Sequence, residues 1–230
     1  AQLGVVPNGF AEPDFLGWEV KQFGVSKLPR IGAKPTTLFT PEPDGGLYVD
    51  EGVSDFIKEY GYPDKSGKQG RLNFGGKHVA NIKAAATGLT LDLLGFDKET
   101  GNIIDSKGSI ALIDDKQIIA ASWSFAKLMG HWNLKHNKAV YVTCLRRVNS
   151  LGEYEYHYGN EIELGTGTSF NHILSAMSQE FVYYDPGIKM ENIFSDKPKI
   201  KRRSQFRTTH NKLQFLYKNF DIVDLTALSN

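Results

Sequence analysis

Short apolar runs alternate with turn-forming clusters along most of the chain, and their period changes from one stretch to the next. In residues 16–22 the apolar Leu16, Trp18 and Val20 alternate with Gly17, Glu19 and Lys21, the period of two that marks a strand with one buried face. Residues 36–40 predict a second strand ended by Pro41, followed by a turn at 42–46. A helix is predicted over 54–60, where Ser54 stands at the cap, Phe56, Ile57 and Tyr60 form an apolar side, and Gly61 and Pro63 stop it. Residues 89–94, 103–104, 109–113 and 117–123 read as short strands around a turn-rich 105–108. A short helix at 124–129 leads into a strand at 139–146, and 154–158 is predicted to pair with that strand as a hairpin across 149–152. Helices are expected at 169–178 and 211–220. Together these elements predict an α+β fold with a mixed β-sheet core flanked by helices. No internal repeat or low-complexity linker divides residues 1–230, so a single domain of two intimately packed lobes is expected.

Composition narrows the class. With 230 residues, 40% hydrophobic and 23% charged, the chain can bury a real core, which excludes collagen-like, low-complexity and wholly disordered readings. Cys144 is the sole cysteine, so neither an intrachain disulfide nor a cysteine zinc cluster can form, and a reducing compartment is expected. No apolar run approaches the roughly 20 residues of a membrane span, and no leader-like opening is read.

A net charge of +1 says nothing by itself about partners, but the distribution does. Lys197, Lys199, Lys201, Arg202, Arg203, Arg207 and Lys212 fall within residues 197–212, a window without an acidic residue. A concentrated positive patch on a nearly neutral chain suits phosphates. The blander reading is a solvated basic loop or a nuclear-localisation-like tract.

One spacing carries chemistry. Asp14 follows Pro13, Glu19 comes five residues later, and Lys21 two beyond that. On a strand, Glu19 and Lys21 project from one face about 7 Å apart, with Asp14 at the turn that starts it. Two carboxylates and a backbone carbonyl, that of Val20, then make an oxygen site suited to Mg²⁺, with Lys21 beside it to orient and help deprotonate an attacking water. If Leu16, Trp18 and Val20 bury the opposite face, the polar pair points outward. The blander reading is a Glu/Lys pair on a solvated strand.

The remaining features point elsewhere. The histidines at 78, 131, 136, 157, 172 and 210 form no zinc-ligating pair on one helical turn. The glycine-rich segment RLNFGGKH, with Arg71, Lys77 and His78, reads as a mobile surface loop, or one that touches a nucleic-acid backbone. GTGTSF at 165–170 lacks a P-loop lysine and reads as a helix cap. Trp18, Trp123, Trp132 and Cys144 read as packing residues.

The segment PDFLGWEVK resembles the active-site motif of the PD-(D/E)xK nucleases, and more closely that of the MvaI/BcnI-like type II restriction endonucleases and the related mismatch-repair nicking enzyme MutH. Further similarity lies at AKPTTLFTPEP (33–43), Gly61 and Tyr62, GLTL (88–91), Trp123 with the strand at 139–145, and NKLQFLYKN (211–219). The resemblance implies a restriction-endonuclease-like fold with a catalytic lobe and a DNA-recognition lobe, in a monomer that cleaves double-stranded DNA at a short site with Mg²⁺. It carries metal ligation to Asp14 and Glu19, and assistance to the water to Lys21. It makes Arg202, Arg203, Arg207 and His210 candidates for base edges, and Lys199, Lys201 and Lys212 candidates for phosphates, since a guanidinium forks onto guanine whereas an ammonium acts as a point charge. A cytoplasmic setting in a prokaryote is expected. Relatives carry a helical segment ahead of the active-site strand, whereas thirteen residues precede Asp14 here, and Thr40 and Pro41 stand where a polar or basic DNA-facing residue is expected.

Three function classes remain open on the sequence. The first is a Mg²⁺-dependent site-specific endodeoxyribonuclease, which either cuts both strands or nicks one as MutH does. The second is a non-catalytic DNA-binding module whose carboxylates are incidental. The third is a β-rich protein- or carbohydrate-interaction domain.

Overall fold

The structure, a computed structural model, describes residues 12–28 and 34–228. By its internal packing the chain forms two compact units, one drawn from residues 1–35, 130–172 and 209–230, the other from 36–129 and 173–208. Among the described residues no helix is long and apolar enough to cross a membrane.

The first unit is built on a four-stranded mixed sheet in the order Glu19–Val25, Lys138–Val148, Tyr154–Thr166, Asn219–Asp224. The first pair is parallel and the other two are antiparallel. The predicted hairpin is present and longer than the sequence pattern suggests, with Val148 opposite Tyr154 and Cys144 opposite Tyr158. Lys21, Tyr141, Glu163 and Ile222 stand in register across all four strands, so their side chains share one face. Over that face lies a 3₁₀ turn, His210–Leu216, where a helix over 211–220 is expected. The difference has a local cause. Leu213, Leu216 and Tyr217 are buried at helical spacing, but Tyr217 is already extended, and Asn219–Asp224 pairs with the strand Tyr154–Thr166. Edge pairing therefore takes the residues that would have continued the helix.

Within this unit Trp132 is fully buried and its indole donates to Thr168 Oγ1 at 3.0 Å. Thr168 in turn donates to the Leu216 carbonyl. Ser169 caps the helix Phe170–Ser178 as the GTGTSF segment predicts, its hydroxyl accepting the His172 N–H and pairing with His172 Nδ1 at 2.8 Å. Cys144 is buried in its strand, and burial pushes its thiol pKa up, in keeping with packing.

The second unit carries smaller sheets around an aromatic core of Phe39, Phe56, Phe74, Trp123, Tyr184 and Phe206. One sheet joins Val182–Tyr184, Phe206–Thr209 and Pro35–Phe39, and another joins Lys199–Lys201, Gly187–Glu191, Arg71–Gly75 and Tyr62–Pro63. A third joins Thr90–Leu94, Ser109–Ile113 and Ile119–Ser124. The helix Val53–Tyr60 buries Phe56, Ile57 and Tyr60 and stops at Gly61, where a Cβ would lie 2.2 Å from the Ile57 carbonyl oxygen. The helix expected at 124–129 is longer, Phe125–His136, because Leu128 and Trp132 extend its buried side. RLNFGGKH is not a mobile surface loop: Arg71–Gly75 is a central strand and His78 is fully buried.

Candidate active site

The five-residue step from Asp14 to Glu19 is a tight turn rather than a stretch of strand. Phe15 and Trp18 exchange both backbone hydrogen bonds, at 3.0 and 2.8 Å, around Leu16 and Gly17, which have φ of 48° and 77°. Two positive φ values in a two-residue loop are the signature of a primed hairpin turn. Leu16 is accordingly 82% exposed, and the strand starts only at Glu19. This corrects the expected orientation. The alternation of Leu16, Trp18 and Val20 is interrupted by the turn, and Glu19, Lys21 and Phe23 take the inward face of the strand. Glu19 is 2% exposed instead of pointing to solvent.

The turn brings Asp14 back over the strand it precedes. Asp14 Oδ2 accepts the Val20 N–H at 2.9 Å, which fixes one carboxylate between the two residues that carry the other motif groups. Lys21 Nζ lies 2.6 Å from Glu19 Oε1. The structure thus gathers Asp14, Glu19 and Lys21 at one strand end. The neighbouring strand also contributes: Lys138 Nζ, at its start, lies 5.9 Å from the centre of the Trp18 ring, a cation–π contact that pins the turn.

The site contains groups that the motif does not announce. Lys135, in the last turn of Phe125–His136, places its ammonium 3.5 Å from Glu19 Oε1. Glu163 and His210 form a buried pair, Oε2 to Nε2 2.8 Å, off the ideal hydrogen-bond direction, and the His210 and Phe23 rings stand perpendicular with their centres 4.4 Å apart. Tyr141 and Tyr217 share a hydroxyl–hydroxyl hydrogen bond of 2.8 Å in the same layer. Complete burial pushes the Tyr141 phenol well above its ordinary pKa, and the neighbouring Tyr217 hydroxyl and the charges of Glu19 and Glu163 push it the same way. Lys135 has no spacing that marks it, since only the fold brings a helix end to the motif strand. Glu163 leaves one faint signal, an acid between Ile162 and Leu164, whose inward direction depends on a register the sequence does not print.

A divalent cation fits these donors. Glu19 Oε2 is fully shielded and meets no hydrogen-bond donor among the described residues, so a buried carboxylate oxygen is left to be satisfied. Together with the Asp14 carboxylate and the Val20 carbonyl it would offer a hard, all-oxygen set of the kind Mg²⁺ takes with water and phosphate completing its shell. Among the described residues no group of three or more His, Cys, Asp or Glu gathers as a larger ligand cluster.

The basic window splits between the two units. Lys199, Lys201, Arg202 and Arg203 are exposed, the two lysines on the strand Lys199–Lys201. Arg202 lies 4.0 Å from Glu42, and the Arg203 guanidinium lies over the backbone of Gly187. Arg207 donates to Asp185 at 2.6 Å, half-buried in its strand. His210 and Lys212 belong to the first unit. His210 is buried against Glu163, while the Lys212 ammonium sits 5.3 Å from the Phe215 ring centre.

Comparison with known proteins gives a consistent result. A family model described as the MvaI/BcnI restriction endonuclease family matches residues 1–217. The fold is similar to the restriction endonuclease MvaI–cognate DNA substrate complex, with a TM-score of 0.64 at 18% identity, covering 94% of this chain and 82% of that one. It is also similar to restriction endonuclease MvaI in the absence of DNA, with a TM-score of 0.53 at 19% identity, covering 92% and 80%. No curated protein matches the sequence.

Proposed function

The chain belongs to the MvaI/BcnI restriction endonuclease family, and from that premise we propose that it is a Mg²⁺-dependent type II endonuclease, hydrolysing phosphodiester bonds at a defined site in double-stranded DNA. The observation that carries this reading is the Asp14–Val20 hydrogen bond beside the Glu19–Lys21 pair, which unites two carboxylates and one ammonium at a single strand end. A bound Mg²⁺ supplies Lewis acidity and a more acidic water. Asp14, Glu19 and the Val20 carbonyl hold the cation. The deep burial of Glu19 fixes the direction of its carboxylate, and Lys21, held against it, orients the attacking water and takes up or offsets charge as the phosphate is attacked.

The exposed Lys199, Lys201, Arg202 and Arg203 support a duplex-binding surface, with the lysines on phosphates and the arginines on base edges. That the similar MvaI structure is a complex with its cognate DNA supports the same partner here. Arg207, paired with Asp185, and Lys212 complete the proposed contact set, whereas His210, expected at a base edge, is buried against Glu163 and is left out of it. The protein acts as a monomer in the cytoplasm of a prokaryote.

The test is incubation of the chain with unmethylated plasmid DNA and Mg²⁺, followed by sequencing of the fragment ends. Double-strand ends sharing one short sequence support the proposal. Salt-sensitive binding without any Mg²⁺-dependent product identifies a DNA-binding module instead, and single-strand nicks identify a MutH-like activity.

A further inference from the structure

Glu19 meets two ammonium groups on one carboxylate oxygen. Its Oε1 lies 2.6 Å from Lys21 and 3.5 Å from Lys135, and its Oε2 meets no donor among the described residues. One ammonium neutralises the buried Glu19 carboxylate, and the second balances the neighbouring Asp14, which is held by the Val20 N–H and has no ammonium of its own among these contacts. Asp14, Glu19, Lys21 and Lys135 together sum to zero. A divalent cation raises that sum to +2, which matches the charge that accumulates on an attacked phosphodiester; without Lys135 the sum is only +1.

Lys135 is placed for such a role. It stands in the last turn of its helix, whose free carbonyls favour a cation, and its side chain remains 30% exposed while Glu19 is only 2% exposed. Lys21 is fixed within a parallel ladder, whereas Lys135 reaches in from a helix end and can swing on its four-carbon stem. Three residues on, Lys138 holds Trp18, so one short segment braces the Asp14–Glu19 turn.

We propose that Lys135 is a second catalytic ammonium: it pairs with Glu19 when no cation is bound, and it contacts a non-bridging oxygen of the scissile phosphate when cation and DNA are present. The inference rests on the proposed function and adds a residue to its site. As a competitor for Glu19, Lys135 weakens cation binding in the absence of DNA. As a phosphate contact it accelerates cleavage. An ion pair that only stabilised the fold would also compete for Glu19, but it would not accelerate cleavage.

The experiment compares the parental chain with Lys135→Met, which keeps the apolar stem, and with Lys135→Arg, which keeps the charge. Ca²⁺ affinity without DNA is measured by calorimetry, and single-turnover cleavage is measured in Mg²⁺. Lys135→Met is expected to bind Ca²⁺ roughly threefold to tenfold more tightly, since a partly exposed competing ion pair contributes up to about a factor of ten. Its cleavage is expected to fall about a hundredfold, the usual effect of removing one charge-stabilising donor, with Lys135→Arg recovering part of the rate. Cleavage within twofold of the parental rate, whatever the Ca²⁺ affinity, would overturn the inference. Glu19→Gln run beside it separates the two levels of argument. If Glu19→Gln is inactive while Lys135→Met is unchanged, only the role of Lys135 fails; if Glu19→Gln also cuts at the parental rate, the site itself is misassigned.

Discussion

The Val20 N–H donates to Asp14 Oδ2 over 2.9 Å, and this one bond folds the first carboxylate of the motif back onto the strand that carries the second. The four residues between them act as a spacer of fixed shape, since Phe15 and Trp18 close a two-residue turn. The distance between the motif groups is therefore set by turn geometry and not by the rise of a strand.

That turn stores strain at Leu16, which holds φ 48° with an 82% exposed side chain that packs little. A left-handed conformation costs an ordinary residue about 1 kcal/mol or more, and Asn tolerates it better. Leu16→Asn is predicted to raise stability by about 1 kcal/mol, seen as a higher Tm in thermal denaturation. A lower Tm would show that the turn does not have this conformation.

The Tyr141–Tyr217 hydroxyl pair is buried beside Glu19 and Glu163. Tyr141→Phe leaves the Tyr217 hydroxyl without its partner and is predicted to cost about 1–3 kcal/mol in urea denaturation. Tyr217→Phe alone should cost a similar amount, and the double variant less than the sum, with a coupling of about 1 kcal/mol. Strict additivity would mean that the two hydroxyls do not interact.

His78 gives the second unit a pH dependence of definite sign. Its ring bonds Gly76 O at 3.0 Å and Thr87 Oγ1 at 2.8 Å in a fully buried position, and burial pushes its pKa down to about 4 from the ordinary 6.5. The unfolded chain therefore binds more protons than the folded one between these values, and stability falls as pH falls from about 6.5 to about 4, by up to about 3 kcal/mol. Below that the contribution is flat. His78→Gln is predicted to lose this slope while retaining the other titrations, as read from denaturant midpoints across that range.

The elements whose signals are local were legible in the sequence. The helix over Val53–Tyr60, the hairpin between Lys138–Val148 and Tyr154–Thr166, and the motif spacing itself depend on neighbours within a few residues or on a turn between them. What could not be read depends on pairing at a distance. The direction of Glu19 follows from a positive-φ turn at a leucine, which carries none of the usual glycine or asparagine signal at its first position. The conversion of residues 211–220 from a helix into a 3₁₀ turn and a strand follows from pairing with a strand more than fifty residues earlier. Lys135 and the Glu163–His210 pair become neighbours of the motif strand only once the sheet is assembled.

The most direct test of the account is single-turnover cleavage of supercoiled DNA in Mg²⁺ by Lys21→Ala, with DNA binding measured in Ca²⁺ on the same preparation. Removing an ammonium 2.6 Å from Glu19 is predicted to lower the cleavage rate by about a thousandfold or more, while DNA affinity stays within a few-fold of the parental value. Cleavage by Lys21→Ala at the parental rate would contradict the assignment of this strand end as the catalytic centre.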